Sequence, residues 1–172
     1  MRQILPYSLW LGHVGDVRDL RGVLAAGIAA LVDLALNEPP AAVTRELVYC
    51  RFPLVDGSGN PTWLLRAAVE TTVGLLREGV PTLVYCGAGM SRAPAVAAAA
   101  ISLVSGDLPD ACLTAVAQSG PGDVSPALWR EIRAILASPG DPPISNGSAF
   151  RPIAVTPGHG GGIGGSETEG MP

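Results

Sequence analysis

The sequence predicts an α/β fold: a single domain with a central, largely parallel sheet flanked by helices. Three observations carry this. Short apolar runs of strand length alternate with stretches of helical period. One run, Ile28 to Leu36, is mostly apolar, as a strand covered on both faces is. A chain of 172 residues suffices for one ordinary core and is too short for two.

Ser8 to Leu11 alternates and ends at Gly12, a first strand. Asp16 is placed to cap a helix to about Ala26, where Gly27 supplies a left-handed stop. The run IAALVDLAL, Ile28 to Leu36, is a second strand, ended by Asn37-Glu38-Pro39-Pro40. Glu46 to Leu54 is a third, followed by a polar loop from Asp56 to Pro61. Asn60 is expected to cap the next helix, with Pro61 at its first position, where a missing N–H is harmless. Trp63, Leu64, Ala67, Ala68, Thr71, Leu75 and Leu76 recur along one face of that helix to Arg77, and Gly79 closes it. Pro81 to Tyr85 is strand-like and Pro94 to Ser105 reads as a buried, alanine-rich helix. Two more helices follow, Pro109 to Gln118 and Pro126 to Ala137, so the domain spans residues 1–137. Residues 138–172 are rich in glycine, proline and serine and bury too little apolar surface to offset their ordering entropy. A disordered tail is expected there.

Composition excludes several classes of partner. The longest apolar run, Ala93 to Leu103, is broken by Pro94 and Ser102 and falls short of the roughly 18 residues a membrane span needs. No membrane partner is expected. The opening residues show no secretory signal, so the expected location is cytoplasmic. Net charge is −4, and eleven arginines, with no lysine, are scattered without a basic patch, which argues against nucleic acid. Three cysteines without close pairing argue against a disulfide framework and against zinc.

The stretch Val84-Tyr85-Cys86-Gly87-Ala88-Gly89-Met90-Ser91-Arg92-Ala93-Pro94 carries the chemistry. Cys86 ends a strand, the loop residues Gly87, Ala88, Gly89, Met90 and Ser91 turn, and a helix begins near Pro94. Such a loop aims successive backbone N–H groups inward, and the helix N-terminus adds about half a positive charge. It is an anion site. Glycines at 87 and 89 let the backbone approach closely, and Arg92 offers a planar fork of donors to two oxygens of a tetrahedral oxyanion. In such a field a thiol of pKa about 8.5 can fall to roughly 3.5–7.5 and become a nucleophile. A leaving alkoxide needs a proton, and Asp56 on another strand-end loop is the best-placed acid. Asp33, within a strand, and Glu38 and Glu46, flanking the loop after it, are further carboxylates. The bland alternatives are a buried core thiol at Cys86 and a turn-forming Asp-Gly at Asp56.

At these residues the chain resembles the dual-specificity protein phosphatases of the cysteine-dependent protein tyrosine phosphatase superfamily. The likeness extends over about residues 5–137. LWLGHVGDVRDLRGVLAAGIAALVDLAL resembles the family's opening strand, helix and strand; VDGSGN its acid loop; CGAGMSRAPAV its phosphate loop and helix; SGPGDVSPALWREI its final helix. The resemblance implies a protein tyrosine phosphatase-like fold, with Cys86 as nucleophile, Arg92 as phosphate clamp and Asp56 as general acid. It also implies that the amides from Gly87 through Arg92 cradle the oxyanion, with a phosphocysteine intermediate and no metal or other cofactor. Substrates would be phosphorylated proteins, or small phosphoesters. Two residues depart from the pattern. Tyr85 stands where the family usually has histidine, and Ala93 where it has a hydroxyl that helps sulfur leave, so slow hydrolysis of the phosphocysteine is expected. Alternatives are a weakened phosphate-binding module, a sugar or inositol phosphatase on the same fold, and a cysteine sulfurtransferase, whose chemistry would not call for Asp56. His13 and His159 receive no role; Trp10, Trp63 and Trp129 are expected to pack. Cys50 and Cys112 are expected to be buried thiols, with protection of Cys86 by a nearby second cysteine left open.

Overall fold

A computed structural model describes residues 1–138. Five strands form one sheet: β1 (Arg2–Gln3), β2 (Leu9–His13), β3 (Ala30–Asp33), β4 (Val48–Arg51) and β5 (Thr82–Cys86). Their order is β1-β2-β5-β3-β4. Only β1 runs antiparallel; β5 lies between β2 and β3, both parallel to it, with His13 opposite Cys86 and Asp33 opposite Tyr85. The C-terminal ends of β2, β5, β3 and β4 therefore share one edge, where loops of α/β sheets gather ligands.

Side-chain alternation along the strands builds two cores. Leu9, Leu11, Val32, Val84 and Cys86 face helices α3 (Thr62–Arg77), α4 (Arg92–Ser105), α5 (Pro109–Gln118) and α6 (Pro126–Ala137). Leu31, Leu83 and Tyr85 face the short helices α1 (Val14–Arg18) and α2 (Leu20–Ala25), together with Leu47. Alanine makes α4 thin enough to sit at the centre of the larger core, with residues 92–102 all buried. None of the helices among the described residues is long and apolar enough to cross a membrane.

Several sequence expectations shift. The helix expected from an Asp16 cap is two short helices. His13 is the N-cap of α1: its Nδ1 accepts Gly15 N–H at 3.0 Å, while Asp16, three residues on, accepts His13 N–H at 2.9 Å. Asp19 then ends α1 and caps α2 through Gly22 N–H. Asp16 thus closes a capping box from inside the helix. Asn60 does not cap α3 either. Pro61 occupies that position without a side-chain bond, and the Asn60 amide turns back on its own loop. The buried face of α3 is Leu65, Ala68, Val69, Thr72 and Val73, rotated from the expected stripe, so Trp63 is 68% exposed. Trp129 packs as expected, with Nε1 donating to Asp110 at 2.8 Å. Strand β1 has no counterpart in the sequence reading, because two residues carry no periodicity. Cys112 is buried, whereas Cys50 is only partly so. Burial also pushes the Cys112 thiol up. Cys50 lies on β4, beyond β3 from Cys86, and two strand spacings of about 4.8 Å exceed the roughly 7 Å reach of a disulfide. Residues 139–172, with His159 and nearly all of the expected tail, lie outside the described residues.

Candidate active site

Cys86 is the last residue of β5, and the chain turns at once into residues 87–91 before α4 begins at Arg92. The turn needs glycine at 89. Its φ is +74°, and a Cβ there would lie 2.8 Å from the Gly12 carbonyl oxygen, so the end of β2 braces the loop from behind. Gly89 N–H donates to Cys86 Sγ at 3.3 Å. The amides of Gly87, Ala88, Met90 and Ser91 donate to no acceptor among the described residues. The side chains of Ala88 and Met90 are exposed, which leaves these two residues only their N–H groups to offer an anion.

Arg92 is the first residue of α4, yet its side chain is only 8% exposed. Nη1 is held by the carbonyls of Leu34 at 3.2 Å and Leu54 at 3.1 Å, at the ends of the β3 and β4 runs. Nε is buried and has no hydrogen-bond partner. A buried guanidinium N–H without an acceptor is costly, and a bound oxyanion would remove that cost.

The loop after β4 brings Asp56 to the same edge. Its Oδ1 accepts a hydrogen bond from Ser91 Oγ at 2.5 Å, and its Oδ2 lies 4.0 Å from Arg92 Nε. Ser91 Oγ also accepts Ser125 N–H at 3.0 Å. A serine has a single O–H, so with Ser125 donating to the oxygen the Ser91 proton must go to Asp56. That leaves Oδ2 without a hydrogen bond among the described residues. The loop itself is clamped: Asn60 bonds Val55 N–H and the Val55 and Gly57 carbonyls, and Glu131 on α6 accepts from Gly59 N–H at 2.7 Å and Asn60 N–H at 3.3 Å.

All eight sequence-nominated residues, Cys86, Gly87, Ala88, Gly89, Met90, Ser91, Arg92 and Asp56, thus meet at one place. The other carboxylates separate. Asp33 is 1% exposed and bonds Ala35 N–H and the Tyr49 hydroxyl, and Glu46 is exposed beside Arg45. Glu38 lies against the loop: a Cβ at Gly87 would run into its Oε1 and lie 3.2 Å from Arg92 Nη2. Tyr85 points to the opposite face from Cys86, buried, with a hydroxyl that has no hydrogen-bond partner. Burial, with the Asp33 carboxylate nearby, pushes that phenol far up and keeps it neutral. Ala93 is fully buried in the core beneath the loop. Sequence reasoning missed Asn60 and Glu131 as clamps, Ser125 as the second partner of Ser91, and Glu38 as a neighbour of the loop. Glycine at 87 was the one local signal for the last.

No protein-family model and no curated protein matches the sequence. Solved structures do match. Human DUSP28 superposes with a TM-score of 0.69 at 21% identity, over 78% of this chain and 94% of that one. DUSP15 gives 0.66 at 22%, over 78% and 85%. The human tyrosine phosphatase-like serine/threonine/tyrosine-interacting protein gives 0.68 at 21%, over 80% and 95%. The five-stranded, mostly parallel sheet and the helices on its faces are therefore those of a known architecture: the chain has the fold of the dual-specificity phosphatases.

Proposed function

We propose that this chain hydrolyses phosphate monoesters, most naturally those of tyrosine and of serine or threonine in proteins, through a phosphocysteine on Cys86. One observation carries the reading: the loop that follows Cys86 holds four amides without an acceptor and ends at Arg92, whose buried Nε has no hydrogen-bond partner. In the first step Sγ attacks phosphorus, the ester P–O bond breaks, and Asp56 Oδ2 passes its proton to the leaving oxygen. In the second, Asp56 takes a proton from a water that attacks the phosphocysteine, and the S–P bond breaks to release inorganic phosphate. The donors hold the equatorial oxygens in both steps, where charge spreads in the transition state. The uncharged loop side chains from Gly87 to Ser91 favour a singly phosphorylated group over a polyanion.

The experiment is turnover of p-nitrophenyl phosphate and a phosphopeptide panel, with Cys86→Ser and Asp56→Ala beside the native protein. Cys86→Ser should abolish turnover and Asp56→Ala should slow mainly the first step. Phosphate or vanadate binding without turnover of any ester would instead favour a phosphate-reading module.

A further inference from the structure

Beside the phosphate loop, on the face of the sheet that carries α1 and α2, is a cavity of about 300 Å³. Its walls are largely apolar, from Val14, Val17, Leu20, Pro40 and Ala41. Two polar groups in its lining are buried and unpaired: Oε2 of Glu38 and the hydroxyl of Tyr85, a residue 1% exposed. Glu38 thus belongs both to the wall of the cavity and to the edge of the loop, where its Oε1 lies against Gly87. Its backbone is pinned there, because Arg51 Nη2 donates to the Glu38 carbonyl at 2.7 Å and to that of Ala35 at 3.2 Å.

A buried carboxylate oxygen without a donor is expensive, and more so next to a site that takes a phosphate dianion. A largely apolar cavity with one glutamate in its wall matches a long aliphatic stem with a cationic head. An anion would meet Glu38 as a like charge. Arg18, the only cation among the described residues that line the cavity, is exposed, where water and salt screen it.

We propose that this cavity binds the guanidinium or ammonium head of an arginine or lysine flanking the phosphorylated residue, pairing it with Glu38, so that the preferred substrates are basic phosphopeptides. The substrate part rests on the phosphatase reading; the cation site does not. Two arms separate them, both on the full chain. In the first, agmatine, an alkyl chain ending in guanidinium, is titrated in and followed by backbone amide NMR. Saturable shifts are expected at Glu38, Ala41 and Gly87, weakened about tenfold in Glu38→Gln, the scale of one charge-assisted hydrogen bond. In the second, matched phosphopeptides carry arginine, alanine or glutamate beside the phosphorylated residue. The basic-to-neutral ratio of kcat/KM should be about ten, should fall towards one in Glu38→Gln and should invert in favour of the glutamate peptide in Glu38→Lys. The ratio cancels any general effect of the variants on turnover. Agmatine binding with no turnover of any ester sustains the cation site and overturns the phosphatase reading. Absence of agmatine shifts in the native protein overturns the proposal, as does inorganic phosphate seated in this cavity or a basic preference unchanged in both variants.

Discussion

Replacing Ser91 with alanine deletes one oxygen and two hydrogen bonds, and the consequences can be worked through from the geometry. The bond to Asp56 Oδ1, 2.5 Å long, is charge-assisted whenever the carboxylate is ionised and, on the proposed mechanism, fixes which oxygen faces the leaving group. Hydrogen bonds to charged groups contribute about 1.5–3 kcal/mol, and because Asp56 is 45% exposed the lower end applies. About 1.5 kcal/mol in the transition state is about a tenfold loss in rate. On the proposed mechanism the loss should depend on the leaving group, because only a poor one needs a proton from Asp56. The assay is kcat/KM over a series of phosphate esters from nitrophenyl through phenyl to alkyl. Phenyl and alkyl esters should slow about tenfold and the nitrophenyl ester much less. In an Asp56→Asn background, adding Ser91→Ala should have almost no further effect, the mark of a coupled pair. Ser125 N–H also loses its acceptor, so the melting temperature should drop modestly, by the few degrees that about 1 kcal/mol produces. A loss uniform across leaving groups, or one that adds in full to that of Asp56→Asn, would refute the reasoning.

Two other predictions test the loop itself. Gly89→Ala forces a Cβ to 2.8 Å from the Gly12 carbonyl in a left-handed conformation, which should cost about 1–3 kcal/mol and abolish phosphate binding; a melting temperature and a phosphate titration equal to those of the native protein would contradict this. With Ala93 lacking a hydroxyl beside the sulfur, the phosphocysteine should hydrolyse more slowly than it forms. Rapid-quench kinetics with an activated phenyl phosphate should therefore show a burst of phenol close to one per enzyme, and a linear trace from time zero would count against it.

Much of the fold was legible in the strands, because burial on both faces leaves nearly unbroken apolar runs at Ile28–Leu36 and Pro81–Tyr85, and only their ends moved. The helices were less faithful. Asp16 and Asn60 both look like caps by type, but a capping side chain is chosen by where the chain enters the helix. His13, at the end of β2, enters one residue before Val14, and Asn60 is drawn back into its own loop by Val55 and Gly57. The face of α3 was misjudged at Trp63 because its large apolar side chain outweighs, in a pattern count, the smaller Val69 and Val73 that are actually buried.

What the residues settled by themselves is the stretch from Cys86 to Arg92. Its elements are local: a strand end, a glycine with positive φ at 89 and a helix N-terminus lie within seven positions. The tertiary structure alone decided how the rest of the site gathers around it. The Ser91–Asp56 bond spans 35 positions, the Glu131 clamp on Gly59 spans 72, and Glu38 meets Gly87 only because β3 lies beside β5 in the sheet. Such contacts follow from strand order and helix packing, which no short window of residues encodes, since each depends on which apolar faces are buried against one another.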